Sequence, residues 1–334
     1  MRATTKEELK QVLRALADPQ ASAPPTETCL NIAPQDLFDA VRHHGIEPAA
    51  LPKLLEALPQ EPPYVALIDG VRERQFLANA KCLNLEAHAK RIMLAIEGAG
   101  LQAKIVKGPV FTSALYEKAS DRPFTDIDIL AHPSAVRAIA PLLKDAGFFH
   151  SRRWIWDKSR SHMEQKWVLL EDPAIVIELH GNLVHNAGLR RHISFGFDEY
   201  MTVAGGGDFP AAAHFMTAVI HASASHKFNR LQLLVDVLQA VRRLEDRDVE
   251  HLDQVLDQLG ARLEALVCLD LVDALFDNFT ATQAQEKLSG RRDYRRCRRL
   301  VTADAVFDTW NDRGHRSSMR RNTFRLAQHV VPRS

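Results

Sequence analysis

The residues of this sequence that could do chemistry together are Asp126 and Asp128, in the run Phe124-Thr-Asp-Ile-Asp-Ile-Leu-Ala131, with Glu178 and His180 in Ile175-Val-Ile-Glu-Leu-His180. Both runs alternate polar and apolar residues, the pattern of a strand whose successive side chains address opposite faces. Asp126 and Asp128 are therefore expected on one face, and Val176, Glu178 and His180 on one face of a second strand. Adjacent carboxylates repel and raise one another's pKa unless a cation lies between them. Hard oxygen donors suit magnesium, which takes one or two protein carboxylates and leaves its other positions to water and substrate phosphate. Glu178, costly to bury unpaired in an apolar strand, is a candidate third ligand. The competing readings are a solvated strand face for the two aspartates and an ion pair with Arg122 for Glu178.

Elements must hold these acids in place. Ala103 to Val106 reads as a short strand, Lys107-Gly108-Pro109 as a turn, and Val110 to Lys118 as a helix that leads through an Arg122-Pro loop to the strand with the aspartates. Gly108 permits close backbone approach, Pro109 pre-sets a first helical turn, and the free N–H groups beyond it favour an anion. Triphosphate would lie between this helix start and the metal, with Lys107 and Arg122 supplying positive charge, the latter through a two-pronged fork.

The remainder is arranged around that unit. Helical periodicity marks Thr5 to Ala17, Pro34 to His44, Glu47 to Leu58 and a long run from Tyr64 to Gly98 whose apolar residues include Leu77, Leu83, Leu85, Ile92, Leu94 and Ile96. A helix from Pro133 to Ala146 precedes extended segments at Phe148 to Trp156, Gln165 to Leu170 and Ala174 to His180, with a hairpin turn between the last two. Gly205-Gly206-Gly207 is a joint, and from Pro210 the chain is helical again. Three units follow: residues 1–98 helical, 99–204 a mixed sheet with helices and the site, and 208–334 helical. The class is α+β.

Lys and Arg number 43 against 42 Asp and Glu, which leaves no overall field favouring nucleic acid or an anionic membrane. No apolar run is long enough to span a bilayer and no secretory leader is visible, so a cytoplasmic protein without a membrane partner is expected. Cys29, Cys82, Cys268 and Cys297 have no metal-ligand spacing and read as reduced thiols.

The ordered combination of Val106-Lys107-Gly108, Leu115-Tyr116, Arg122, Asp126-Ile-Asp128-Ile-Leu, Ile177-Glu178-Leu179-His180 and the later His221-Ala-Ser-Ala-Ser-His226-Lys-Phe-Asn-Arg230 and Leu234-Val-Asp236-Val resembles the DNA polymerase β-like nucleotidyltransferase superfamily. More narrowly it resembles the bacterial family described as uncharacterised nucleotidyltransferases, over roughly residues 65–240. The resemblance implies a polymerase β-like core, a phosphate-binding turn at Gly108, a metal pair at Asp126 and Asp128, and a third acid at Glu178 that helps activate the attacking hydroxyl. Two departures stand out. Pro109 occupies the place of the superfamily's serine or second glycine, with Ser113 one turn further on, and Gly181 follows His180 where an aromatic residue is expected.

These readings lead to an expected Mg2+- or Mn2+-dependent transfer of NMP from NTP to a hydroxyl or phosphate of an acceptor that the sequence leaves open among small molecules, peptides and proteins. A γ-phosphotransferase and a non-catalytic, antitoxin-like nucleotide-binding partner protein are the alternatives. His180 is expected at the nucleotide with Lys107, Gly108, Arg122 and Ser113. His221 and His226, five apart, do not stack on one face of an α-helix and are read chiefly as packing residues. His162 is unassigned. The arginines from Arg291 to Arg325 read as a solvated face, with guidance of an RNA acceptor as the lesser reading.

Overall fold

Five short strands form one sheet in the order β1-β2-β5-β4-β3, where β1 is Ala103–Ile105, β2 Ile127–Ala131, β3 Phe148–His150, β4 Glu164–Leu169 and β5 Val176–His180. β2 and β5 run parallel, and the other neighbours are antiparallel. The computed structural model describes residues 3–151, 163–289, 294–310 and 316–331. His162 and the part of the expected Phe148 to Trp156 strand that falls in 152–162 lie outside them, as do Arg291, Arg292 and Arg313.

Alternation divides the sheet into two faces. Ile127, Ile129 and Ala131 of β2, Trp167 and Leu169 of β4, and Ile177 and Leu179 of β5 are buried in one apolar cluster. That cluster is completed by Leu85, Ala89, Ile92 and Ile96, from the second half of the long helix Tyr64–Gly98 (α5), and by Ile139 and Leu143 of the helix Val136–Asp145 (α7). The intervening residues Asp128, Glu178, His180, Lys166 and Glu164 therefore address the other face. Of the apolar residues that mark α5 in the sequence, Leu77, Leu83 and Leu94 are exposed, because only one side of the helix meets the sheet.

The other face is roofed by helices. Ala3–Ala17 (α1), Thr26–Leu30 (α2), Pro34–His43 (α3), Glu47–Ala57 (α4) and Pro109–Leu115 (α6) share a second apolar cluster with helices that follow residue 196. These are Phe197–Val203 (α8), Pro210–Ile220 (α9), Leu231–Val241 (α10), Asp246–Val255 (α11), Arg262–Phe276 (α12), Phe279–Leu288 (α13), Arg295–Arg298 (α14), Ala303–Phe307 (α15) and Arg316–Val330 (α16). Between α9 and α10 lies one π-helical turn, His221–Ser225. The α+β class and the helices flanking the mixed sheet agree with the expectation. Among the described residues no helix is long and apolar enough to cross a membrane.

Candidate active site

The acids are aligned by strand register. Asp128 of β2 lies opposite Glu178 of β5, which lies opposite Lys166 of β4, and His180 lies opposite Glu164. Three strands thus deliver one row, Asp128-Glu178-Lys166, and the next row adds His180 and Glu164. β2 begins at Ile127, so Asp126 stands at the strand's entry rather than within it.

Lys107 reaches the row because the Val106 N–H donates to the Asp128 carbonyl at 3.1 Å, which ends β1 directly beside the aspartate. The next residue, Gly108, turns the chain with φ 59° and ψ −118°. A Cβ there would lie 3.1 Å from the Asp126 carbonyl oxygen and 3.3 Å from the Phe124 ring, so the position is restricted by both backbone conformation and space. The loop on the other side of the turn is pinned as well. Phe124 N–H donates to Cys82 Sγ at 3.1 Å, and the Thr112 hydroxyl donates to the Arg122 carbonyl at 2.8 Å.

Asp128 is 3% exposed, and burial of an unpaired carboxylate is costly. Its Oδ1 is met by Lys107 Nζ at 2.7 Å and by His180 Nε2 at 2.9 Å. Burial alone would raise the Asp128 pKa, but the charge of Lys107 and the His180 hydrogen bond bring it well below the usual carboxylate range. Lys107 is held above the usual lysine value: its burial opposes the charge, and Asp128 outweighs that. Asp126 has no such partner. Burial, then the charges of Asp128 and Glu178, push it up to about 6. The cluster therefore carries more negative charge than its own cations balance, the electrostatic condition of a divalent-cation site.

The donor set fits a metal. Ligand atoms of Asp128, Glu178 and His180 all lie within 4.8 Å of one another, as do those of Glu164, His180 and His185. Among the described residues the buried Nδ1 of His180 has no hydrogen-bond partner, and the His180 and His185 rings are stacked with centroids 5.6 Å apart. Glu178 is held by Lys166 Nζ at 3.0 Å. The partner of Glu178 is therefore a cross-strand lysine, in place of the Arg122 pairing considered from the sequence, since register sets Lys166 directly opposite.

Arg122 has another occupation than the triphosphate contact expected of it. Its Nε and Nη2 donate to the two oxygens of Asp236 at 2.8 and 2.9 Å, and the Tyr116 hydroxyl donates to the same carboxylate at 2.6 Å. The fork is filled by a carboxylate that α10 brings from 114 residues away. Ser113 is exposed on α6, and its hydroxyl donates to the Pro109 carbonyl at 2.9 Å within its own helix. At Gly181, the place of the expected aromatic residue, a Cβ would be 3.0 Å from the Met163 side chain.

His221 and His226 do share a face. The His226 N–H donates to the His221 carbonyl at 3.1 Å, closing a π-helical turn in which residues five apart stack, and the two rings meet edge to face with centroids 4.6 Å apart. The α-helical period used in the sequence reading does not apply there. Burial and then Lys107 press the His221 pKa well below its ordinary value and that of His226 to about 4. His185 falls to about 3 through burial and then the charge of His180. The site therefore includes Glu164, Lys166, His185, His221 and His226 in addition to the residues expected. Alternation around β4 was the signal available for Glu164 and Lys166; none marked His185.

The protein is thus of the α+β class, with a mixed sheet that sets carboxylates on adjacent strands beside a glycine turn. Residues 31–277 match the family model described as uncharacterised nucleotidyltransferase, and the chain belongs to that family. No curated protein and no solved structure matches the chain.

Proposed function

We propose that the protein transfers a nucleoside monophosphate from NTP to a hydroxyl or phosphate oxygen of an acceptor, with release of pyrophosphate. The observation that carries this is the Asp128-Glu178 register pair with Asp126 at its edge, its pKa raised by burial and then by the neighbouring negative charge. Asp126 and Asp128 would hold Mg2+ or Mn2+, with Glu178 as a third oxygen donor. When bound, such an ion polarises the α-phosphate and offsets charge that develops on the pyrophosphate leaving group.

This chain's own residues do the rest. Lys107 and the turn at Gly108 present an ammonium and backbone N–H groups to triphosphate oxygens, the arrangement suited to anion binding. Glu178, held by Lys166, is placed to take the proton from the acceptor oxygen as that oxygen bonds to the α-phosphorus and the bond to the β-phosphate oxygen breaks. His180 orients Asp128 through its hydrogen bond. Arg122 and Asp236 act at one remove, by fixing the loop before Asp126 against α10.

The test is incubation with α- and γ-labelled ATP, Mg2+ and a cell extract. Label from the α position is expected on an acceptor, and Asp126→Asn with Asp128→Asn should reduce it to background. Transfer of the γ label instead would identify a phosphotransferase, and survival of α transfer in the double variant would overturn the site.

A further inference from the structure

Most of the guanidinium groups that link elements here are matched to carboxylates: Arg122 to Asp236, Arg242 to Asp18, Arg262 to Asp253 and Asp257, and Arg298 to Asp270. One concave region departs from that pattern. Arg42 and His43 at the end of α3, Asn229 and Arg230 in the loop between the π-helical turn and α10, and Arg321 of α16 line a pocket of about 570 Å³, together with Asp39 and Thr309. Among the described residues that line it Asp39 is the one carboxylate, and its Oδ1 already accepts from Gln35 Nε2 at 2.9 Å. Among the described residues Arg42 and Arg230 have no ion pair and no side-chain hydrogen bond.

The cationic field converges on the pocket. His43 is held below its ordinary pKa by burial and then by the charges of Arg230 and Arg321, three elements that meet only in the folded chain. Guanidinium forks match phosphate oxygens in pairs. The buried Oδ1 of Asn229 is unpartnered and can accept from a hydroxyl. Among the described residues no Phe, Tyr or Trp lines the pocket to stack a base. Arg230 also bears on the reaction site: His226, four residues earlier, is depressed by burial, then by Lys107 and Arg230. The pocket and the carboxylate row are thus joined by one short segment.

We infer that this pocket binds the phosphate of a small, hydroxyl-bearing phosphomonoester, and that such a molecule is the acceptor; the acceptor assignment rests on the proposed nucleotidyl transfer, whereas the binding assignment does not. Isothermal titration of the intact chain, free of metal and nucleotide, with glycerol 3-phosphate, inorganic phosphate and glycerol reads the binding directly. Glycerol 3-phosphate and phosphate are expected to bind saturably and glycerol not at all. Arg42→Gln with Arg230→Gln should weaken phosphate binding at least about tenfold without moving the melting temperature, since neither side chain is paired. Lys107→Ala, which removes the ammonium beside Asp128, should leave this binding in place. Equal binding by the wild type and the arginine double variant would overturn the assignment, as would loss of binding in a Lys107→Ala protein whose melting temperature shows that it is folded. Tighter binding of a single-stranded RNA oligonucleotide, lost in the same arginine variants, would overturn the small-molecule class. In the transfer assay the double variant should raise KM for the phosphorylated acceptor and leave KM for NTP unchanged. Absence of any transfer would sink the proposed reaction and leave the titration result standing.

Discussion

Asp126 and Asp128 are two residues apart and have opposite electrostatics. Asp128 is ionised because Lys107 and His180 sit on it, whereas Asp126, pushed up to about 6 by burial and its acidic neighbours, resists ionisation until the solution is near neutral. A carboxyl whose folded pKa exceeds its unfolded value makes the folded state bind more protons, so stability falls as pH rises between about 4 and about 6. Asp126→Asn should therefore stabilise the metal-free protein above pH 6, by up to about 3 kcal/mol, while it abolishes transfer. Urea denaturation at pH 5 and pH 7.5 checks this; an equal stability difference at both pH values would contradict it. Added Mg2+ should stabilise the wild type and not the variant.

The turn and loop that flank β2 are positioned by contacts distant in sequence. Gly108→Ala adds a Cβ 3.1 Å from the Asp126 carbonyl at a positive φ, and a loss of about 1–3 kcal/mol is expected, with displacement of Asp126 as its local consequence. Thermal unfolding measures the first, and the Mg2+ dependence of stability the second. Arg122 and Asp236 form a buried pair, and removal of one member leaves the other charge uncompensated. Asp236→Ala should cost about 3–5 kcal/mol. A double variant, Arg122→Met with Asp236→Leu, should recover part of that stability but not transfer, because Asp126 loses its anchored loop. Recovery of full transfer would show that the pair has no positioning role.

At the scale of the molecule, several histidines are folded in neutral form. His44 falls to about 3 through burial and then the charge of His43, His185 to about 3 and His226 to about 4. A base with a depressed folded pKa is protonated first in the unfolded chain. The unfolded state then binds more protons, and stability is lost as pH falls from about 6.5 toward about 3. The denaturation midpoint should drop across that window, with a shallower slope in His44→Gln. An unchanged slope would show that His44 is not held neutral. His44 sits where the N-terminal helices meet α10, with its Nδ1 accepting from the Leu231 N–H at 3.3 Å, so its variant reports on the apolar cluster those helices share.

Local periodicity was enough to read the sheet strands, the glycine turn, the long helix α5 and the common face of Glu178 and His180, because a strand's alternation and a glycine's freedom are properties of adjacent residues. The pairing of Asp128 with Glu178 became definite only through register, which depends on how β5 lies beside β2. Arg122 was read as a phosphate ligand, with Glu178 as the competing carboxylate; the carboxylate that fills its fork, Asp236, arrives on α10. His221 and His226, which do not stack at the α-helical period, share a face because the chain forms a π-helical turn there. The sequence by itself determined which residue types stand on which face of the strands. Tertiary structure decided which charges meet, since Coulomb interactions act through space and are indifferent to chain order.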